Sequence, residues 1–136
     1  MAAQTDARSL SPIWRASLAM LAVIFGVMTI LSGGSVLFGD DGVRALAGDV
    51  VSVVLWVNFL AGFAYVIAGL GIWMRARWAF PLAVLIVGAT LAAGLYFTLA
   101  VLTGAAFEMR TVGALALRVS IWAAIAIAIR PRRSRR

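Results

Sequence analysis

The chain has 136 residues, of which 64% are hydrophobic and 12% charged, with 12 basic against 5 acidic side chains and a formal net charge of +7. A soluble domain carries about 25% charged residues, so this charge is too sparse to cover a water-facing surface and a soluble globular fold is excluded. His and Cys are both absent, which removes thiolate nucleophiles, the commonest metal ligand and the best neutral-pH proton relay.

Residues 1–12 read as a polar N-terminal segment. Span 1 follows over 13–38, with Trp14 and Arg15 at its start as interface anchors. Its apolar stretch exceeds that of a signal peptide and no small-residue cleavage site follows cleanly, so it is expected to be retained. The connection over 39–49 is acidic, with Asp40, Asp41 and Asp49 against Arg44. Span 2 runs over 50–74 and leads into a tight turn, Trp73-Met74-Arg75-Ala76-Arg77-Trp78, where two Trp flank two Arg. Span 3 covers 78–102, with Pro81 in its first turn, where a missing N–H is harmless. After a loop containing Glu108 and Arg110, span 4 covers 112–129, stopped by Arg130-Pro131 and followed by a basic tail over 131–136. Each span is long enough for a hydrocarbon core of about 30 Å. The expected fold is all-α: one membrane domain over 13–130, a four-transmembrane-helix bundle.

The arginines give an orientation. The first segment (Arg8, Arg15), the 2–3 turn (Arg75, Arg77) and the tail (Arg130, Arg132, Arg133, Arg135, Arg136) hold nine; the 1–2 and 3–4 loops hold one each, Arg44 and Arg110. The positive-inside rule then places both termini in the cytoplasm. A basic tail beside a span attracts anionic membrane lipid. No basic surface interleaved with aromatics points to nucleic acid. Basic residues that are all Arg fit a bacterial chain, and the expected location is the bacterial inner membrane.

Lipid offers helices no hydrophobic drive to associate, so small residues should mediate packing. Span 2 supplies Ala61, Gly62, Ala64, Ala68, Gly69 and Gly71, and span 4 a four-residue repeat of Ala116, Ser120, Ala124 and Ala128. The repeat is assigned first to packing within the chain and second to dimerisation.

Arg118 is the expensive residue. It lies about 10 Å inside span 4, where a charge costs about 2.5–3.5 kcal/mol. Asn58 of span 2, Thr29 and Ser32 of span 1, and Tyr96 of span 3 fall at similar depth. They form a candidate ligand site for an anionic or carbonyl-bearing molecule such as a lipid headgroup or a quinone. The competing expectation is that Arg118 snorkels to Asp49 or Glu108 at the rim. No carboxylate falls mid-span, and no His or Lys stands ready to activate a hydroxyl. The chain therefore reads as a non-enzyme, with no catalytic residues, no metal site and no cofactor beyond such a bound lipid or quinone.

Residues 61–75 (AGFAYVIAGLGIWMR), continuing into Trp78-Ala79, together with Arg15 and the Ser32-Gly33-Gly34 run, resemble DoxX-like proteins, small four-helix bacterial inner-membrane proteins with a glycine-rich second span. The resemblance covers about half the chain. It implies a component linked to respiratory or redox complexes and carries over no catalytic residue. The expected function is a non-catalytic accessory subunit of a larger inner-membrane complex. The alternative is a small homo-oligomeric transporter or channel for an anionic or neutral solute, centred on Arg118 and Asn58.

Overall fold

The computed structural model describes residues 10–131; the first nine residues and the tail beyond Pro131 lie outside it. Five helices follow in chain order: α1 (Pro12–Phe38), α2 (Asp41–Ala47), α3 (Ser52–Trp73), α4 (Ala79–Leu102) and α5 (Met109–Ile129), with no strand among the described residues. Four of them, α1, α3, α4 and α5, are long and apolar enough to cross a membrane. At about 1.5 Å per residue the shortest of the four reaches about 31 Å, as a hydrocarbon core requires.

The helix starts have local causes. Ser11 caps α1, its hydroxyl accepting from the Trp14 N–H at 3.3 Å, and Pro12 opens the helix where no N–H partner is needed. Between spans the sequence predicts only an acidic loop, but the chain forms a short helix there. The Asp40 carboxylate accepts from the Val43 N–H at 3.0 Å, Asp41 occupies the positive first turn, and Arg44 sits in the last. The Arg110 guanidinium closes the far end of α2, donating to the Leu46 and Ala47 carbonyls at 3.2 Å each. The Glu108 carboxylate accepts from the Asp49 N–H at 3.4 Å. These loop charges hold the loops to one another.

The acidic loops therefore gather at one end of the bundle. At the other end Leu10 and Ser11, the α3–α4 turn, and the end of α5 line one recess. These are called the acidic and the basic end below.

The tightest contact is between α1 and α3, which cross through glycines. A Cβ added to Gly26 would lie 2.8 Å from the Gly62 carbonyl oxygen, and one on Gly62 would lie 3.0 Å from the Gly26 carbonyl oxygen. Only hydrogen fits between backbones this close. Helix α4 packs on α3, and α5 packs chiefly on α4. The main core joins Ala19 and Ala22 of α1, Tyr65, Ala68 and Ile72 of α3, Ala83 and Ile86 of α4, and Trp122 and Ile125 of α5. A second cluster toward the acidic end holds Val54, Phe97 and Leu115. Outside, large apolar side chains such as Met28, Leu31, Leu85 and Leu95 are more than half exposed, the inverse of a soluble surface and what lipid contact requires.

The small residues of α3 behave as expected: Gly62, Ala68, Gly69 and Gly71 are buried. Those of α5 do not. Ala116, Ser120, Ala124 and Ala128 are all exposed. The bulky stripe Leu115, Trp122 and Ile125 occupies the inward face instead. Trp122 and Ile125 join Tyr65 and Ile86 in the main core, which leaves the smooth face outward.

Candidate functional site

Arg118 lies between the two core clusters. Three residues before it on α5, Leu115 packs with Val54 and Phe97. Four residues after it, the Trp122 ring meets Tyr65 with centroids 4.9 Å apart. Spacings of three and four keep all three side chains on one helix face, so Arg118 is turned inward. On α3, Asn58 holds the matching place, four residues from Val54 and seven from Tyr65, again on one face. It is half-buried and level with Arg118 in this register.

The wall on the basic side of Arg118 is aromatic. Tyr65 and Trp122 are both fully buried, and Phe25 of α1 stacks on Tyr65 at 5.6 Å with the planes 10° apart. Thr90 of α4 is buried as well. Thr90 directs its own hydroxyl proton to the Ile86 carbonyl at 2.8 Å.

Four buried polar atoms are left without a hydrogen-bond partner in the chain: Nε and Nη1 of Arg118, Nε1 of Trp122 and the Tyr65 hydroxyl. Three of the four are donors only. Buried polar atoms in folded proteins are satisfied in the great majority of cases, and leaving one unmet costs about 1–3 kcal/mol. The layer around Arg118 is therefore short of acceptors. The rim carboxylate does not supply them, because Glu108 engages the Asp49 N–H. No hydrogen bond joins Arg118 to Asp49 or Glu108 among the described residues.

The remaining expected residues divide. Thr29 is buried, but its hydroxyl donates to the Phe25 carbonyl of its own helix at 2.7 Å. Tyr96 is 46% exposed on α4, and Ser32 is exposed on α1, so both lie at suitable depth on outward faces. Tyr65, Trp122 and Thr90 take their places. The signal for the first two was present in the sequence: Tyr65 follows Asn58 by seven and Trp122 follows Arg118 by four, both same-face spacings.

No family model, curated protein or solved structure matches the chain. Its chemistry therefore rests on the site alone. The layer offers donors and one fixed positive charge, with no carboxylate among the described residues outside the acidic end. It can hold an acceptor oxygen. Beside it, an apolar groove of about 480 Å³ opens between α4 and α5, lined by Gly94, Phe97, Val101, Phe107, Val112 and Leu115 among others. Leu115, which lines it, is one turn from Arg118 on α5.

Proposed function

We propose that this chain is a non-catalytic accessory subunit of a larger bacterial inner-membrane complex, which holds an amphiphile, a lipid or a quinone, by its acceptor oxygens at Arg118. The observation that carries the proposal is the set of unpartnered buried donors on Arg118 and Trp122. An acceptor from outside the chain meets that need, and a planar guanidinium suits a carbonyl or phosphate oxygen. The adjoining groove supplies an apolar lining for a chain or ring.

Further support comes from the outside of α5. A smooth face of Ala116, Ser120, Ala124 and Ala128 turned away from its own bundle suits close approach of another helix. The link to respiratory or redox complexes rests on the resemblance of the glycine-rich second span to DoxX-like proteins. Nine arginines in the sequence flanking the first span, in the α3–α4 turn and after the last span, against Arg44 and Arg110 in the other two connections, favour a cytoplasmic location for the termini, with Arg118 toward the periplasmic side. A solute pathway is a weaker reading, because Tyr65, Trp122, Ala22 and Ala83 close the centre of the bundle with no exposure.

The test is extraction of lipid and quinone from protein purified in a mild detergent, comparing wild type with Arg118→Ala. Retention of a stoichiometric amphiphile by wild type, falling about tenfold or more in the variant, is expected. Equal retention by both proteins would sink the assignment to Arg118.

A further inference from the structure

The helices α3 and α4 end in the same hydrogen-bond pattern. After α4, the Ala105 N–H donates to the Ala100 carbonyl and the Gly104 N–H to the Val101 carbonyl, both at 3.0 Å, with Gly104 at φ 98°. After α3, the Ala76 N–H donates to the Gly71 carbonyl at 2.8 Å and the Arg75 N–H to the Ile72 carbonyl at 3.3 Å, with Arg75 at φ 58°. Both are Schellman caps, whose left-handed residue is ordinarily Gly because a Cβ there is crowded. Arg75 is the one non-Gly residue with positive φ among the described residues. The chain places an arginine where its other hairpin places a glycine.

Arg75 lines the recess at the basic end, of about 1420 Å³, together with Arg15 of α1, Arg77 of the turn and Arg130 at the end of α5. Elements far apart in sequence thus bring four arginines to one hollow. No acidic residue among the described residues lines it, and the described carboxylates Asp40, Asp41, Asp49 and Glu108 all belong to the acidic end. Arg15 makes one internal contact, donating to the Leu10 carbonyl at 3.4 Å. The charges repel one another, and no anionic group among the described residues of the recess offsets them. Trp14 and Phe80 add an apolar wall beside them.

We infer that this recess is a binding site for a phosphate-bearing anion, the phosphodiester of an acidic phospholipid or a free phosphate from the adjoining solution. Arginine forks match phosphate oxygens two at a time, and basic pockets between transmembrane helices capture lipid headgroups. The strained Arg75 backbone aligns with this role, since residues held in sparsely populated conformations collect at ligand sites. The site lies at the basic end, three turns along α5 from mid-helix Arg118, so either can fail without the other.

The full-length protein is incubated in mixed micelles of phosphatidylglycerol and phosphatidylcholine, and the lipids retained per protein are counted by native mass spectrometry, with and without inorganic phosphate. Wild type is expected to prefer phosphatidylglycerol about tenfold or more, and the preference should vanish in R75G/R77Q. Gly fits the left-handed position, so this variant keeps the turn. If inorganic phosphate abolishes the preference at constant ionic strength, the natural ligand is a soluble phosphate; if it does not, the ligand is the lipid. Arg44→Gln, which removes one charge at the acidic end, should leave the preference intact. Equal retention of both lipids by wild type, with no phosphate sensitivity, overturns the inference. A loss in Arg44→Gln as large as in R75G/R77Q also overturns it, because net charge would then account for the effect.

Discussion

At the residue scale, Arg118 separates a structural charge from a functional one. A guanidinium paired within its own bundle leaves an orphaned partner when removed, and such losses destabilise by about 3–5 kcal/mol. Arg118 has no such partner for Nε and Nη1, so its removal strands nothing. Arg118→Met keeps the length and apolar stem of the side chain while deleting two unmet donors. In protein stripped of bound amphiphile, this variant should unfold at the same or a higher temperature, gaining about 1–3 kcal/mol. Thermal unfolding in detergent by circular dichroism reads the outcome directly. A clear loss of stability would show that Arg118 is a structural residue. The depth of the site was legible from hydropathy, which gives distance along each span. Facing was not. Ser32 and Tyr96 share the depth of Arg118 but are exposed, because azimuth is set by which neighbour each helix packs against. Tyr65 and Trp122 were legible only through their same-face spacing from Asn58 and Arg118.

At the element scale, the α1–α3 pair is the rigid part of the molecule and α5 the most open. Gly62→Val would drive a side chain into the Gly26 carbonyl and the Ile30 side chain, from which an added Cβ already stands 3.0 and 2.7 Å away. The two helices would have to separate, at a cost of about 1–3 kcal/mol, measurable as a lower midpoint in titration with a denaturing detergent. Unchanged stability would mean that the close crossing contributes little. Helix α5 behaves oppositely on its smooth face. Ala124→Leu adds bulk where the chain has no contact, so folding stability should stay within about 0.5 kcal/mol, while recovery of any partner held by that face should fall. The four-residue spacing was plain in the sequence; its outward direction was not, because small and bulky stripes compete for the core, and here Trp122 and Ile125 join it. Helix α2 was hidden for another reason. It has seven residues, too few for a periodic signal, and rests on the Asp40 cap and the Arg110 side chain arriving from α5.

At the scale of the whole molecule, four long helices followed from composition and apolar run length, because lipid contact imposes hydrophobicity on whole segments rather than on a few positions. The helix ends lie within three residues of the expected span limits, α5 starting at Met109 rather than 112. The charge layout is also global: carboxylates at one end, four arginines around a recess at the other. Between them lies one layer with unmet donors and an apolar groove beside it. This arrangement suits a holder of a ligand or a neighbour. An accessory role in a larger complex is tested by isolating the tagged chain from its native membrane in mild detergent and identifying everything retained by mass spectrometry. Stoichiometric recovery of larger membrane proteins, sharply reduced by Ala124→Leu, is expected. Recovery of the chain alone or as a homo-oligomer, unchanged by that substitution, would contradict it.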